Sequence, residues 1–145
     1  MPVAYIFSYS TEEVQRSRLS RIAMHNEISD MLPDGAVHLG VIKCEQWMPP
    51  PGYLERRYSG VHPLIQEAVL QDPRASQAIT RAVDTIMDVL SSWKGRHGVA
   101  QMTSCKLGTH RSAAVAELIA NELKGYGVSV RVKHMHRRRR PQDPY

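Results

Sequence analysis

Four short apolar stretches that alternate with amphipathic segments constrain the fold of this chain more than any other feature. The stretches are rich in β-branched and aromatic residues and cover residues 3–9, 36–43, 99–103 and 128–133. Their length and composition predict buried strands, whereas the segments between them carry apolar residues at helical spacings. Strands that alternate with helices predict an α/β fold, here a three-layer sandwich with a largely parallel four-stranded sheet flanked by helices.

The helix boundaries are marked by capping signals. Residues 10–13 have the Ser-x-x-Glu spacing of a capping box and predict a helix that runs to about Leu32. Asp72-Pro73 predicts the start of another long helix, because Asp is a favoured N-cap and Pro a favoured first helical residue. The apolar stripe of that helix continues to Trp93, whose side chain is therefore expected in the core.

The chain is predicted to be a single cytoplasmic domain. Its 145 residues suit one domain, and it has neither a membrane-length apolar run nor a basic leader before its first strand. Two cysteines, Cys44 and Cys105, are too few for a disulfide framework or a structural zinc site. The histidines lack metal-ligand spacing. His134 and His136 are expected at the surface of the last strand, and a position facing the same cleft as the loop after the third strand is the alternative. Neither a metal nor a cofactor is expected.

The positive charge is concentrated at the C-terminus. The net charge is +5, yet residues 1–130 hold 13 basic and 13 acidic side chains, so the entire excess lies in residues 131–145. We therefore expect a domain over residues 1–136, followed by a basic, disordered tail over residues 137–145. Such a segment attracts nucleic-acid phosphates, which makes Arg137, Arg138, Arg139 and Arg140 the candidate RNA-binding residues. A solvated tail that only aids solubility is the alternative.

The loop between the third strand and the next helix is the best candidate for a binding site. Helix-start amides and the helix dipole favour an anion at such a loop. Basic and hydroxyl side chains of the loop have the same preference, and the guanidinium of Arg111 can bind a phosphate with two donors. An ordinary turn with solvated side chains is the alternative. The predicted phosphate-binding residues are Cys105, Lys106, Leu107, Gly108, Thr109, His110, Arg111 and Ser112.

The same loop allows a catalytic alternative. Cys105 and Arg111 have the Cys-x5-Arg spacing of cysteine-dependent phosphatases, in which a thiolate attacks phosphorus and the arginine holds the phosphate oxygens. The leaving group would need a general acid, for which Asp72 and Asp143 are candidates. A buried, structural cysteine is the other interpretation of Cys105, and a purely structural or protein-binding domain is a third possibility.

The loop and its flanks resemble the C-terminal domain of the bacterial RNase adaptor RapZ family. That family has a Gly-Cys-Thr-Gly-Gly-x-His-Arg-Ser loop followed by a helix with an Ala-Glu pair, matched here by residues 104–112 and by Ala116-Glu117. The resemblance extends upstream to Leu-Glu-Arg-Arg-Tyr-Ser-Gly at residues 54–60 and downstream to residues 128–136. It covers about residues 41–136 and no part of the family's nucleotide-binding N-terminal domain.

The resemblance implies a regulatory or adaptor domain rather than an enzyme. The family's C-terminal domain binds an amino-sugar phosphate and a small regulatory RNA, and full-length members assemble as tetramers. The implied partners are thus a phosphorylated, sugar-phosphate-like metabolite or inorganic phosphate, RNA, and further copies of the chain, but no membrane. The family's Asp-x-Arg and Asn-Pro-His segments appear here as Ile42-Lys43-Cys44 and Met48-Pro49-Pro50. The sugar-reading half of the site therefore differs, whereas the phosphate-facing half is kept.

Overall fold

The computed structural model describes residues 2–16 and 18–145, without the side chains of residues 18–21. Eleven elements follow one another in these ranges: β1 (Val3–Ser10), α1 (Thr11–Gln15), α2 (Arg18–Asp30), β2 (Val37–Lys43), α3 (Gly52–Glu55), α4 (Pro63–Val69), α5 (Pro73–Leu90), a 3₁₀ turn (Trp93–Gly95), β3 (Val99–Cys105), α6 (Arg111–Gly125) and β4 (Ser129–His134).

The four strands form one parallel sheet in the order β2-β3-β1-β4. Helices cover both faces of the sheet, as shown by alternate residues of the central strand β1, whose side chains pack against different helices. Ile6 packs with side chains of α4, α5 and α6, whereas its neighbour Phe7 packs with Ile28 of α2. The predicted α/β sandwich with a parallel four-stranded sheet is confirmed. Within the described ranges, no helix has the length and hydropathy needed to cross a bilayer.

The N-terminal helical stretch is two helices rather than the predicted single one. The capping box works as expected, since the Ser10 hydroxyl accepts a hydrogen bond from the backbone amide of Glu13. However, α1 ends at Gln15 and has no buried residue, and the second helix, α2, begins at Arg18. That helix ends at Asp30, two residues before the expected end.

The prediction that Trp93 lies in the core is wrong. Helical spacing places a side chain on the buried face only while the helix continues, and α5 ends at Leu90. Trp93 lies in the following 3₁₀ turn with 78% of its surface exposed. The guanidinium of Arg96 stacks on its ring, 4.2 Å from the centroid.

Residues 137–145 follow the rim of the domain at the carboxyl edge of the sheet. The backbone amide of Gln142 donates to the carbonyl of Arg57 over 3.0 Å. The hydroxyl of Tyr145 donates to the carboxylate of Glu117 in α6. The sequence suggests a disordered tail for this segment because it is basic and lacks apolar periodicity, yet in the structure polar contacts with the domain hold it.

Candidate functional site

The order of the strands creates a crevice at the carboxyl edge of the sheet. β1 and β3 are neighbours that end together, with Ser10 opposite Cys105. The chain leaves β1 toward α2 on one face and leaves β3 toward α6 on the other face. Parallel sheets bind ligands at such a switch point, because the two connections diverge and leave a gap between them.

A cleft of about 320 Å³ lies at this edge. The β3–α6 loop contributes Leu107 and Thr109 to its lining, and the chain after β4 contributes His136, Arg138 and Arg140. The remaining lining residues are Ser10, Glu12, Glu13 and Arg16. The cleft is thus lined by basic side chains on one side and carries two carboxylates on α1.

The β3–α6 loop is fastened to the end of β1. The carbonyl of Lys106 accepts hydrogen bonds from the Ser10 hydroxyl over 2.7 Å and from the Glu12 amide over 3.1 Å. Gly108 has a φ of 74°, and a Cβ at this position would lie 2.8 Å from the backbone nitrogen of Ser10. Only glycine fits here, since the conformation and the space both exclude a side chain.

The backbone amides at the tip of this loop have no acceptor within the part of the chain that the structure describes. Among the hydrogen bonds between described residues, none has the backbone N–H of Leu107, Gly108, Thr109 or His110 as its donor. The last three of these residues are buried. Buried amides nearly always have an acceptor, so a row of unpaired ones is the arrangement that an oxyanion can satisfy.

Cys105 and Ser112 lie beneath the loop, and neither side chain lines the cleft. The Cys105 thiol is part of a residue only 2% exposed. Its sulfur accepts a hydrogen bond from the backbone N–H of Ser112 over 3.3 Å and lies 3.0 Å from the Ser112 hydroxyl oxygen. The hydroxyl of Thr103 donates to the Ser112 carbonyl over 2.8 Å. The Cys105 thiol therefore serves as the acceptor of one backbone amide in the first turn of α6.

His110 is buried against Glu55 rather than facing the cleft. Its Nε2 lies 3.0 Å from the Glu55 carbonyl oxygen, and its Nδ1 lies 3.3 Å from the Glu55 carboxylate. Burial lowers the pKa of His110, and the contacts with Glu55 oppose this effect only in part. The imidazole thus favours its neutral form and anchors the loop to the end of α3.

Arg111 points away from the loop. Its Nη1 donates to the carbonyls of Glu45 and Trp47 over 3.0 and 2.8 Å. The guanidinium thereby holds the segment that follows β2 and does not line the cleft. Lys106 is exposed and also absent from the lining. Of the eight loop residues selected from the sequence, Leu107 and Thr109 are those whose atoms line the cleft.

Ser10, which the sequence does not single out as a site residue, and His136, for which the sequence leaves the cleft as an alternative to the surface, both line the cleft. The backbone N–H of Ser10 donates to Nδ1 of His136 over 2.9 Å, so the neutral imidazole carries its hydrogen on Nε2, where it can serve as a donor. Burial lowers the pKa of His136, partly opposed by Glu13 and Glu27. The positions of Ser10 and His136 in the sequence could have indicated this role, because Ser10 ends β1 and His136 follows β4. Residues at the carboxyl ends of parallel strands meet at one edge of the sheet.

The expectation that His134 lies at the surface is wrong, since its side chain is only 8% exposed. Its Nδ1 lies 2.6 Å from the Ser8 hydroxyl and its Nε2 lies 3.2 Å from the Glu117 carboxylate. Burial raises the pKa of Glu117, but the hydrogen bonds from His134 and Tyr145 outweigh it and lower that pKa overall. This polar chain joins β1, β4, α6 and the C-terminal residue.

Comparisons with known proteins identify relatives for most of the chain. The family model described as RapZ C-terminal domain matches residues 45–138. A nucleotide-binding protein of Mycolicibacterium smegmatis is 35% identical over 95 residues, which are 61% of this chain and 32% of that protein. Proteins with the same description from Macrococcus caseolyticus and Pediococcus pentosaceus are 29% and 25% identical over 56% and 68% of this chain, and over 28% and 35% of their own lengths. The chain thus spans about a third of the length of these relatives.

Proposed function

The chain belongs to the family of the RapZ C-terminal domain, and from that membership we propose that it is a regulatory adaptor domain that binds a phosphorylated metabolite in the cleft at the carboxyl edge of its sheet. One observation carries the proposal. Leu107 and Thr109 of the β3–α6 loop, His136, Arg138 and Arg140 line one cleft where the chain leaves neighbouring strands in opposite directions.

This set of donors suits a phosphate group. The backbone amides of Leu107 and Thr109 offer neutral donors, whereas Arg138 and Arg140 supply positive charge and forked geometry. The Thr109 hydroxyl accepts from the Arg138 amide over 3.2 Å, which leaves its own hydrogen for a ligand. The Glu12 and Glu13 side chains on α1 can accept hydrogen bonds from sugar-like hydroxyls. The volume of the cleft, about 320 Å³, fits a small metabolite of this class.

Isothermal titration with inorganic phosphate and with hexose phosphates tests the proposal. Arg138→Ala removes a charged donor while it keeps the backbone contact with Thr109, so we expect affinity to fall about 10-fold or more. Arg131→Ala is the matched control, because Arg131 is an exposed basic residue of β4 outside the cleft. Absence of binding at millimolar concentrations, or equal losses in the two variants, would contradict the proposed function.

We propose RNA as a second ligand, bound through the basic segment of Arg137–Arg140. Arg138 and Arg139 are exposed, so their guanidinium groups can reach a phosphate backbone. Replacing both with alanine should weaken RNA binding and make the affinity less dependent on salt. For a single-stranded RNA, the slope of log affinity against log salt concentration should decrease in magnitude by about 0.7 for each phosphate that the segment no longer neutralises. Arg131→Ala again serves as control. An unchanged salt slope in gel-shift assays would exclude this role of the segment.

A phosphatase that uses Cys105 is the second candidate. The N–H and hydroxyl of Ser112 at its sulfur would stabilise a thiolate. Against this, the residue is 2% exposed and Arg111 donates to the Glu45 and Trp47 carbonyls instead of facing the thiol. Hydrolysis of p-nitrophenyl phosphate that disappears in Cys105→Ser would favour the enzyme. Absence of turnover between pH 5 and 8 in folded protein would exclude it.

A further inference from the structure

A buried carboxylate near the C-terminus is used by no part of the function proposed above. The side chain of Asp143 has no exposed surface. Its Oδ1 accepts from the backbone N–H of Ser59 over 2.6 Å. Its Oδ2 accepts from the backbone N–H of Arg140 over 2.7 Å and from Nη1 of Arg137 over 3.1 Å. Three donors from two parts of the chain therefore meet on one carboxylate.

These contacts close the C-terminal segment into a turn and attach it to the domain. The amide of Asp143 donates to the carbonyl of Arg140 over 3.1 Å, which makes the turn reciprocal. Nη1 of Arg137 also donates to the Ser59 hydroxyl over 3.1 Å. Burial raises the pKa of the Asp143 carboxyl, but the hydrogen bonds from Arg140 and Ser59 and the charge of Arg137 lower it overall. The carboxylate is thus charged, and its partners satisfy it.

The contacts of this turn fix the positions of Arg137, Arg138 and Arg140. Arg137 is directed inward to Asp143, while the Arg138 amide is held by Thr109. Nε of Arg140 donates to the Glu55 carbonyl over 3.1 Å. As a result Arg138 and Arg140 line the cleft, whereas the intervening Arg139 is exposed and lies outside it.

We propose that Asp143 is a positioning residue of the anion site: its carboxylate latches residues 137–143 onto Ser59 and so presents Arg138 and Arg140 to the cleft. The inference rests on the proposed function of that cleft. It assigns a role to a residue that would not touch the ligand, and it makes anion binding depend on an intact C-terminus.

The first test is a double-mutant cycle read by titration with inorganic phosphate. Asp143→Ala removes the acceptor of all three donors and should reduce affinity about 10-fold. The same substitution should have no further effect in a chain that already carries Arg138→Ala and Arg140→Ala, because the positioned groups are then gone. Asp84→Ala, which removes an exposed carboxylate on α5, controls for the change in net charge. Unchanged affinity in Asp143→Ala, or an equal loss in both backgrounds, would overturn the inference.

The second test does not depend on ligand binding. The latch should slow tryptic cleavage after Arg138 and Arg139, so Asp143→Ala should be cut there at least 10-fold faster, as followed by mass spectrometry. A chain ending at Gln142 removes the same carboxylate without a substitution inside the fold and should behave alike. If the wild-type chain fails to bind phosphate, the proposed function is wrong, and the cleavage rates alone decide whether the latch exists. Equal cleavage rates in wild type and variants would refute it.

Discussion

Gly60 is the position at which a single methyl group should disrupt the candidate site most directly. The segment before α4 packs against the first turn of α6, and the Gly60 amide donates to the Thr109 carbonyl over 2.9 Å. A Cβ on Gly60 would lie 2.3 Å from the Ala114 nitrogen, 2.5 Å from the His110 oxygen and 2.7 Å from the Ala113 carbonyl carbon. Ordinary contacts are 3.4 Å or longer, so the two backbones must separate by about 1 Å.

The expected loss in free energy of unfolding for Gly60→Ala depends on which atoms must move to make room for the methyl group. All three contacts are backbone atoms, and Ala113 and Ala114 are fully buried in α6. Overpacking in a core lowers the free energy of unfolding by about 1–3 kcal/mol. Backbone atoms cannot move aside by a change of rotamer as a side chain can, so we expect a loss at the upper end of this range, about 3 kcal/mol. For a domain of this size that corresponds to a fall of about 6–12 °C in Tm.

Urea and thermal denaturation followed by circular dichroism measure this effect. Gly125→Ala is the control, because nothing lies within 4 Å of a Cβ there and Gly125 is the last residue of α6. It should be neutral or slightly stabilising, since alanine favours a helix. The reasoning is refuted if Gly60→Ala lowers the free energy of unfolding by less than about 1 kcal/mol.

Three further predictions concern the loop. The free energy of unfolding should fall as pH drops below about 6.5, because burial lowers the pKa of His110 and the unfolded chain takes up a proton that the folded one resists; urea curves at pH 7.5 and 5.5 should show a smaller fall in His110→Gln, and an equal fall would argue against it. Arg111→Lys should cost about 1–2 kcal/mol, because the lysine Nζ is one bond closer to the backbone than the Arg111 Nη1 that donates to the carbonyls of Glu45 and Trp47; an unchanged denaturation midpoint would show that these bonds contribute nothing. Iodoacetamide should alkylate Cys105 far more slowly in the folded chain than in 6 M urea, since the residue is 2% exposed; equal rates would contradict its burial.

The layered fold could be predicted from the sequence because the period and composition of the strands differ sharply from those of the helical segments between them. The β-branched and aromatic residues indicate the strands, and Asp72-Pro73 indicates the start of α5. The position of Trp93 is not predictable in this way, because periodicity alone does not show where a helix ends. The polarity of His134 suggested exposure, but Ser8 on the neighbouring strand and Glu117 on α6 satisfy its ring nitrogens inside the fold. Such pairings depend on strand order, which one sequence does not reveal.

The β3–α6 loop could be predicted as a connection between a strand and a helix, yet the direction of each of its side chains could not. Spacing placed Arg111 beside an anion, whereas its guanidinium satisfies the backbone carbonyls of Glu45 and Trp47 after β2. Those carbonyls lie 66 and 64 residues away in the chain, so local sequence carries no information about them. The position of Ser10 in the cleft lining likewise depends on a contact between distant parts of the chain, because β1 lies beside β3 in the sheet.

The distribution of charge shows why the cleft should attract anions even with Arg111 engaged elsewhere. The sheet is entirely parallel, so the chain that leaves β4 emerges at the same edge as the β3–α6 loop. The whole net charge of +5 lies in residues 131–145. Arg131 and Lys133 belong to β4 itself and Asp143 neutralises Arg137, so the positive charge of the chain after β4 is that of residues 138–140. Their attraction for an anion is screened by salt, whereas hydrogen bonds from the neutral loop amides are not. If both act together, phosphate affinity must fall with ionic strength without vanishing, and Arg138→Ala must flatten that dependence while the amide contribution remains.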